Sequence, residues 1–257
     1  VQVTGFDIPH SFPQDFVPVF GMDVRSCLEY YMEAFSLTEE FKSKHDALSD
    51  NDPHGEDWIV ELAARTAAAK VQHYESITSE GIEPIQGAAQ LMRDSCLACV
   101  HPITRQTLVA IASSGSHAKI KHNLSSANLW GIIPKEKIVS AEEVAKGKPY
   151  PDVYLKALER LDCTTPAQSA IVIEDSVHGI HAAFRAQVGK IVAITTSLNH
   201  KEMKEALVSL RQRETIDDQQ NLPTDTESRI HLSPTCAVTI IGSTLPETYN
   251  ALIDVLQ

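Results

Sequence analysis

The sequence predicts an α/β protein: a Rossmann-like parallel sheet core accompanied by a smaller, all-helical cap domain. Three observations carry this expectation. From about residue 108 onward, short β-branched apolar runs alternate with helix-length amphipathic segments, the pattern of a parallel α/β sheet. Before about residue 83 the periodicity is helical, with no convincing strand. The 257 residues, 43% of them hydrophobic, suffice for one α/β domain and an accessory one. The expected division is residues 1–82 for the cap and 83–257 for the core.

In the first part, VRSCLEYYMEAF and DWIVELAARTAAAKVQHYESI read as helices, and the polar stretch HDALSDNDPHGED loops between them. In the second part LVAIASS, Leu108 to Ser114, reads as a strand, followed by a helix from about Ser116 to Leu129. KIVSA gives a short strand, PDVYLKALERL a helix opening on proline and aspartate, and SAIVIEDS a buried strand. A helix through HGIHAAFRAQ, a strand IVAITT, a helix through KEMKEALVSLRQR, a strand CAVTII and a last helix through ETYNALIDVL complete the order. TIDDQQNLPTDTESR reads as a late surface insertion.

Composition narrows the partners. With 34 acidic against 22 basic residues, the net charge of −12 opposes binding to nucleic acid or to anionic membrane. No apolar run approaches the roughly 18 residues of a membrane-spanning helix. The five cysteines, Cys27, Cys96, Cys99, Cys163 and Cys236, are odd in number and scattered. They suit free thiols in a soluble protein of a reducing intracellular compartment, cytoplasmic or organellar. Cys96 and Cys99 form a C-x-x-C, but inside an apolar-periodic segment that reads as plain helix.

Three constellations fall at the carboxyl ends of predicted strands, where an open α/β sheet places its ligand site. In AIASSGS, hydroxyls and unpaired backbone N–H groups can converge on a phosphate, with Ser113 the candidate ligand and Ser116 nearby. In KGKPYPD, Lys148 can supply fixed positive charge to a phosphoryl group. In IVIEDSVHGIHAA, a strand delivers Glu174 and Asp175 to its tip, and adjacent carboxylates suit magnesium. Each is weak alone, since a serine turn or an acidic pair more often caps a helix and a single lysine is usually a solvated surface residue.

Their order is far more specific. From about Ile82 to Thr196 the chain resembles motifs two, three and four of the haloacid dehalogenase-like superfamily, in the capped subgroup of β-phosphoglucomutase and small sugar-phosphate phosphatases. The resemblance implies that Ser113 binds phosphate, Lys148 bridges phosphate and nucleophile, and Glu174 and Asp175 help to hold Mg2+. It also implies a small phosphorylated metabolite as substrate, an aspartyl-phosphate intermediate, and a cap that excludes water. His117, His122, His178 and His181 are expected to line the following helices rather than to act in catalysis.

The family's first motif, an aspartate nucleophile with a second aspartate two positions on in a D-x-D-G-T or D-x-D-G-V turn, is not found. In one register the chain begins after that motif, and GFDIPHSFPQDFVPVFGMDVRSCLEYY resembles cap interior. In a second, Gly21 and Asp23 stand at the nucleophile and acid/base positions; in a third, Gly5 and Asp7 do. Glycine has no side chain to attack phosphorus. In the first register the lost strand lies mid-sheet, between the strands of motifs two and four, so both neighbours are left with unpaired edges. Two functions follow. One is a phosphohydrolase or phosphomutase lineage, inactive as written. The other is a catalytically dead relative serving as a ligand-binding or structural subunit beside a protein partner.

Overall fold

The computed structural model describes residues 19, 21–40, 42–43, 58–161, 167–214, 224–226, 228–233 and 236–241. The chain divides into two compact units, Val1–Ile82 and Glu83–Gln257.

In the first unit, α1 runs over Val24–Ala34 and α2 over Trp58–Ile77. Leu28 and Met32, one turn apart on α1, meet Leu62 and Ala63 of α2, with Val24, Leu37, Trp58 and Ile59 around them. No strand occurs among the described residues of this unit, and the polar stretch between the helices lies outside them. Among the described residues no helix is long and apolar enough to cross a membrane.

The second unit opens with α3, Ala88–Ala98. Alternating elements follow: β1 Ile111–Ser113, α4 His117–Ser126, β2 Ile138–Ser140, α5 Asp152–Arg160, β3 Ile171–Glu174, α6 Val177–Arg185, β4 Lys190–Ile194 and α7 His200–Glu214. The described chain ends in β5, Arg229–Ser233, and β6, Cys236–Ile241. Helix α5 packs on β1 and β2, α6 on β3 and β4, and α7 on β5 and β6. Ala182 and Ala183, fully buried on α6, keep that helix close to the sheet. The expected final helix lies outside the described residues.

The core is the expected α/β one, and two details of its strand pairing matter for the site. The described strands form two sheets, β1-β2 and β3-β4-β6-β5, and among the described residues no pairing joins β1 to β3. And β5 is an antiparallel edge strand bonded to β6, in a segment not read as a strand. The signal was present in RIHLS, where Ile230 and Leu232 alternate with polar residues and both are buried. Five residues adjoining a long polar stretch gave that alternation little weight.

Candidate active site

The strands β1 and β3 end at Ser113 and Glu174, and the segment after β2 carries Lys148 to a place between them. Lys148 is only 5% exposed. Its Nζ donates to the Ala112 carbonyl of β1 at 3.3 Å and is ion-paired with Glu174 Oε1. A buried ammonium is costly unless paired, so Glu174 is the counter-ion that lets Lys148 sit there.

Glu174 is held from every side. Oε1 also accepts from the Tyr154 hydroxyl at 3.0 Å, and the Lys148 ammonium lies 4.9 Å from the centre of the Tyr154 ring. Oε2 accepts from the N–H groups of Asp175 and Ser176, at 2.9 and 3.0 Å, and from the Ser176 hydroxyl at 2.9 Å. Burial alone would push this carboxyl up; the Lys148 charge and the donated hydrogen bonds hold it below its ordinary value. The same burial, with the Glu174 charge beside it, pushes the Tyr154 phenol well above its own. Gly179 completes the enclosure, because a Cβ there would stand 2.1 Å from the Glu174 carboxylate. Ser176 caps α6 by accepting from the Gly179 N–H at 3.1 Å.

Asp175 has another environment. Its Oδ2 accepts from the hydroxyls of Thr196 and Ser197, at 3.1 and 2.8 Å. Burial and the neighbouring Glu174 charge raise its carboxyl above the usual range, with the two hydroxyls opposing them.

The turn after β1 is fixed by β2. The buried Ser140 hydroxyl donates to the Gly115 carbonyl at 2.8 Å, and Ser113 Oγ accepts from the Gly115 N–H at 3.1 Å. Ser116 acts here as the N-cap of α4, accepting from Lys119 N–H at 3.2 Å. The His117 N–H donates to Glu142 Oε2 at 2.9 Å. Two amides at the start of α4 are thus bonded within the protein.

The remaining sequence candidates go elsewhere. Asp23 belongs to the first unit and is the N-cap of α1, accepting from the N–H and hydroxyl of Ser26 at 3.0 and 2.8 Å. Gly21 stands just before it with φ of 90°. The residues that precede Gly21, Val19 apart, lie outside the described residues, as do Gly5 and Asp7. The sequence does contain one aspartate pair at D-x-D spacing, Asp50 and Asp52, in the polar stretch before α2 and followed by Pro53 rather than glycine. No apolar strand pattern precedes it, and it too lies outside the described residues. Tyr154 was missed altogether. Its signal was a tyrosine on the apolar face of a helix that follows Lys148 closely, since a buried phenol needs a hydrogen-bond partner.

The fit to magnesium is incomplete. Asp175 is a suitable oxygen ligand at the strand tip. Glu174 is not, because its two oxygens serve five donors. Among the described residues no group of three or more His, Cys, Asp or Glu is placed to hold a metal ion. Cys27, Cys96, Cys99 and Cys236 are free thiols, and burial raises that of Cys99, which argues against a reactive C-x-x-C. A groove of about 650 Å³ lies outside β2, lined in part by His117, Lys121, Trp130 and Arg160. Ser113, Lys148, Glu174 and Asp175 do not line it.

The family of haloacid dehalogenase-like hydrolases matches residues 26–193. A bifunctional riboflavin kinase/FMN phosphatase of Arabidopsis thaliana is 38% identical over 122 residues, 46% of this chain and 28% of that protein. Hexitol phosphatase A of Escherichia coli is 28% identical over 149 residues, 57% of this chain and 62% of that protein. The chain therefore spans less than two thirds of the length of either relative. The crystal structure of a β-phosphoglucomutase from Clostridium difficile superposes with a TM-score of 0.54 over 79% of this chain and 75% of that one, at 19% identity. That likeness speaks to the fold.

Proposed function

Because the chain belongs to the haloacid dehalogenase-like hydrolase family, we propose that its second unit is a phosphoryl-transfer core of the phosphatase and phosphomutase lineage that lacks its own nucleophile. Its ligands would be small phosphorylated metabolites, and the phosphoryl group would sit at the tips of β1 and β3. The single observation that carries this reading is the buried Lys148 ammonium held between the two tips. Phosphoryl transfer depends on positioning and on fixed positive charge where negative charge develops. Ser113 would add a hydroxyl at the β1 end, and Asp175 the carboxylate for Mg2+. When bound, the metal would neutralise charge on the phosphoryl oxygens.

On this reading neither Glu174 nor Asp175 serves as the nucleophile. Glu174 is committed to Lys148, Tyr154 and Ser176, and Asp175 is held by two hydroxyls. On this reading a route through an aspartyl-phosphate lacks its first step among the described residues. The same commitment favours the rival reading, a relative that binds its ligand without chemistry as a subunit of a larger assembly; one assay separates the two. The purified 257-residue chain with Mg2+ is expected to turn over generic phosphate monoesters no faster than its Lys148→Ala variant. Adding an upstream strand that bears D-x-D is expected to raise turnover at least a hundredfold if the enzyme lineage is right, and to leave it unchanged if the site only binds. Robust hydrolysis by the unmodified chain, abolished by Asp175→Asn, would overturn the proposal.

A further inference from the structure

The groove of about 650 Å³ outside β2 has a size that suits a small molecule, and its charged residues fall into two sets. The first set is committed. Glu143 is ion-paired through Oε2 with the Arg160 guanidinium, and its Oε1 lies 2.9 Å from His117 Nε2. Arg160 also donates to the Ile138 carbonyl, and the Ser140 N–H donates to Glu143 Oε1 at 2.9 Å. Residues two apart on a strand turn their peptide groups to the same side, so this pair occupies the outward carbonyl and N–H of β2. These charges satisfy one another and form a fixed wall.

The second set is uncommitted. Lys121 stands about one turn after His117 on α4, and Lys135 opens the short turn Lys135–Lys137 before β2. Both are exposed, and among the described residues neither ammonium has an ion pair or a hydrogen bond. Lys137, two positions after Lys135, is used differently. It is buried, and its Nζ donates to the Arg160 carbonyl at 3.4 Å, at the end of α5 where the helix dipole favours a cation. In a chain of net charge −12, the groove gathers Lys121, Lys135 and Arg160 against Glu136 and Glu143. Its local field therefore runs against that of the whole chain and favours an anion.

Trp130 gives the groove a flat apolar face. The indole is 42% exposed, although Leu129 before it and Ile133 after it are buried. Its position is not slack. The Leu124 carbonyl accepts from the N–H groups of Leu129 and Trp130, at 2.7 and 3.0 Å, and Asn128 and Gly131 complete the turn with φ of 55° and 89°. An indole held in solvent by an anchored turn is a platform on which a planar ring can stack.

We propose that this groove is a second ligand site, for a planar aromatic ring that carries a phosphate, the chemistry of a mononucleotide. The ring stacks on Trp130, and the phosphate is met by Lys121 and Lys135. The site stands apart from the strand tips and needs no phosphoryl transfer there. A phosphotyrosine peptide offers the same ring and charge, but its extended backbone would find the Ile138 carbonyl and the Ser140 N–H already taken. The small molecule is therefore the better fit.

The probe is adenosine 5′-monophosphate, titrated calorimetrically into the full chain at low salt without added metal. Ribose 5-phosphate, which lacks the ring, and adenosine, which lacks the phosphate, are its controls. The nucleotide is expected to bind roughly tenfold more tightly than either. Trp130→Leu should erase its advantage over ribose 5-phosphate. Lys121→Gln and Lys135→Gln should each weaken it about threefold and flatten its salt dependence, while adenosine binding stays unchanged. All three side chains are exposed, so each variant should fold as the parent does. The other tryptophan is Trp58, and in a Trp58→Phe background the nucleotide should quench the remaining emission while ribose 5-phosphate should not. Equal affinity for the nucleotide and ribose 5-phosphate would overturn the site. So would nucleotide binding that is unchanged in Trp130→Leu or in both lysine variants, which would put the ligand elsewhere on the chain. Tighter binding of a short phosphotyrosine peptide than of the nucleotide would overturn the choice of ligand.

Discussion

β3 and β4 are neighbours in one sheet, paired in register and built from almost the same residues, IVIE against KIVAI, yet they are held in place by different means. β4 has a strand on either side, and its Ile191, Val192 and Ala193 are essentially removed from solvent, at 1%, 0% and 0%. Among the described residues β3 has a strand on one side only, and its first three residues all keep some exposure. What is buried on β3 is its last residue, Glu174, gripped by five donors. Apolar packing orders β4, whereas a charged network at the tip orders β3. Apolar content identifies a strand but says little about how many neighbours it has.

The largest effect that would test this contrast comes from Glu174→Gln. The substitution leaves Lys148 buried without a counter-charge, and breaking one side of such a pair costs about 3–5 kcal/mol. Denaturant titration at pH 7 should show a loss of that size. The pH dependence sharpens it. Glu174 has its carboxyl held below the usual value, near about 4.3 for a free glutamate. Its contribution is therefore fully present above the unfolded value and is lost as pH falls through the lower, folded one. The stability gap between the parent chain and Glu174→Gln should close below about pH 4. A gap that stays constant down to pH 3 would mean that packing, not charge, holds the tip.

Ile191→Ala comes next. It removes a fully buried side chain from the strand with two neighbours, and such truncations cost about 2–5 kcal/mol. The loss should be independent of pH between 4 and 8, measured by the same titration. A pH-dependent loss would tie β4 to the charged network and dissolve the contrast.

Much of this fold is legible in the chain because local pattern decides it. The β-branched runs ending in Ser113, Ser140, Glu174 and Ile194 are strands, and the proline and aspartate before Val153 open a helix, as their chemistry requires. That Lys148 and Glu174 belong to one site is legible only in the order of three segments, none of them specific alone. Other features depend on non-local geometry. The separation of β1 from β3 is a relation between strands some 60 residues apart, roughly the span from Ile111 to Ile171, and no window of sequence contains it. Glu174 and Asp175 look interchangeable as letters, yet one faces Lys148 and the other two hydroxyls, because side chains alternate along a strand. Asp23 is different again: aspartate three residues before Ser26 is a readable N-cap signal.

The smallest expected effect is the most discriminating. Ile173→Thr replaces a β-branched residue by another of similar shape, so strand propensity is preserved and only the apolar contribution changes. At a sealed position, as at Val192, introducing a hydroxyl would bury a polar group with no assured partner and cost about 1–3 kcal/mol. At Ile173 the side chain already meets solvent, so the hydroxyl can be hydrated and the change should stay within about 0.5 kcal/mol. Thermal denaturation of the variant beside Val192→Thr measures both in one experiment. The outcome bears directly on how β3 is flanked in the purified chain. A near-neutral Ile173→Thr beside a costly Val192→Thr is what an open edge requires. If both substitutions cost the same, Ile173 is covered in solution, and β3 differs from β4 only in the chemistry of its tip.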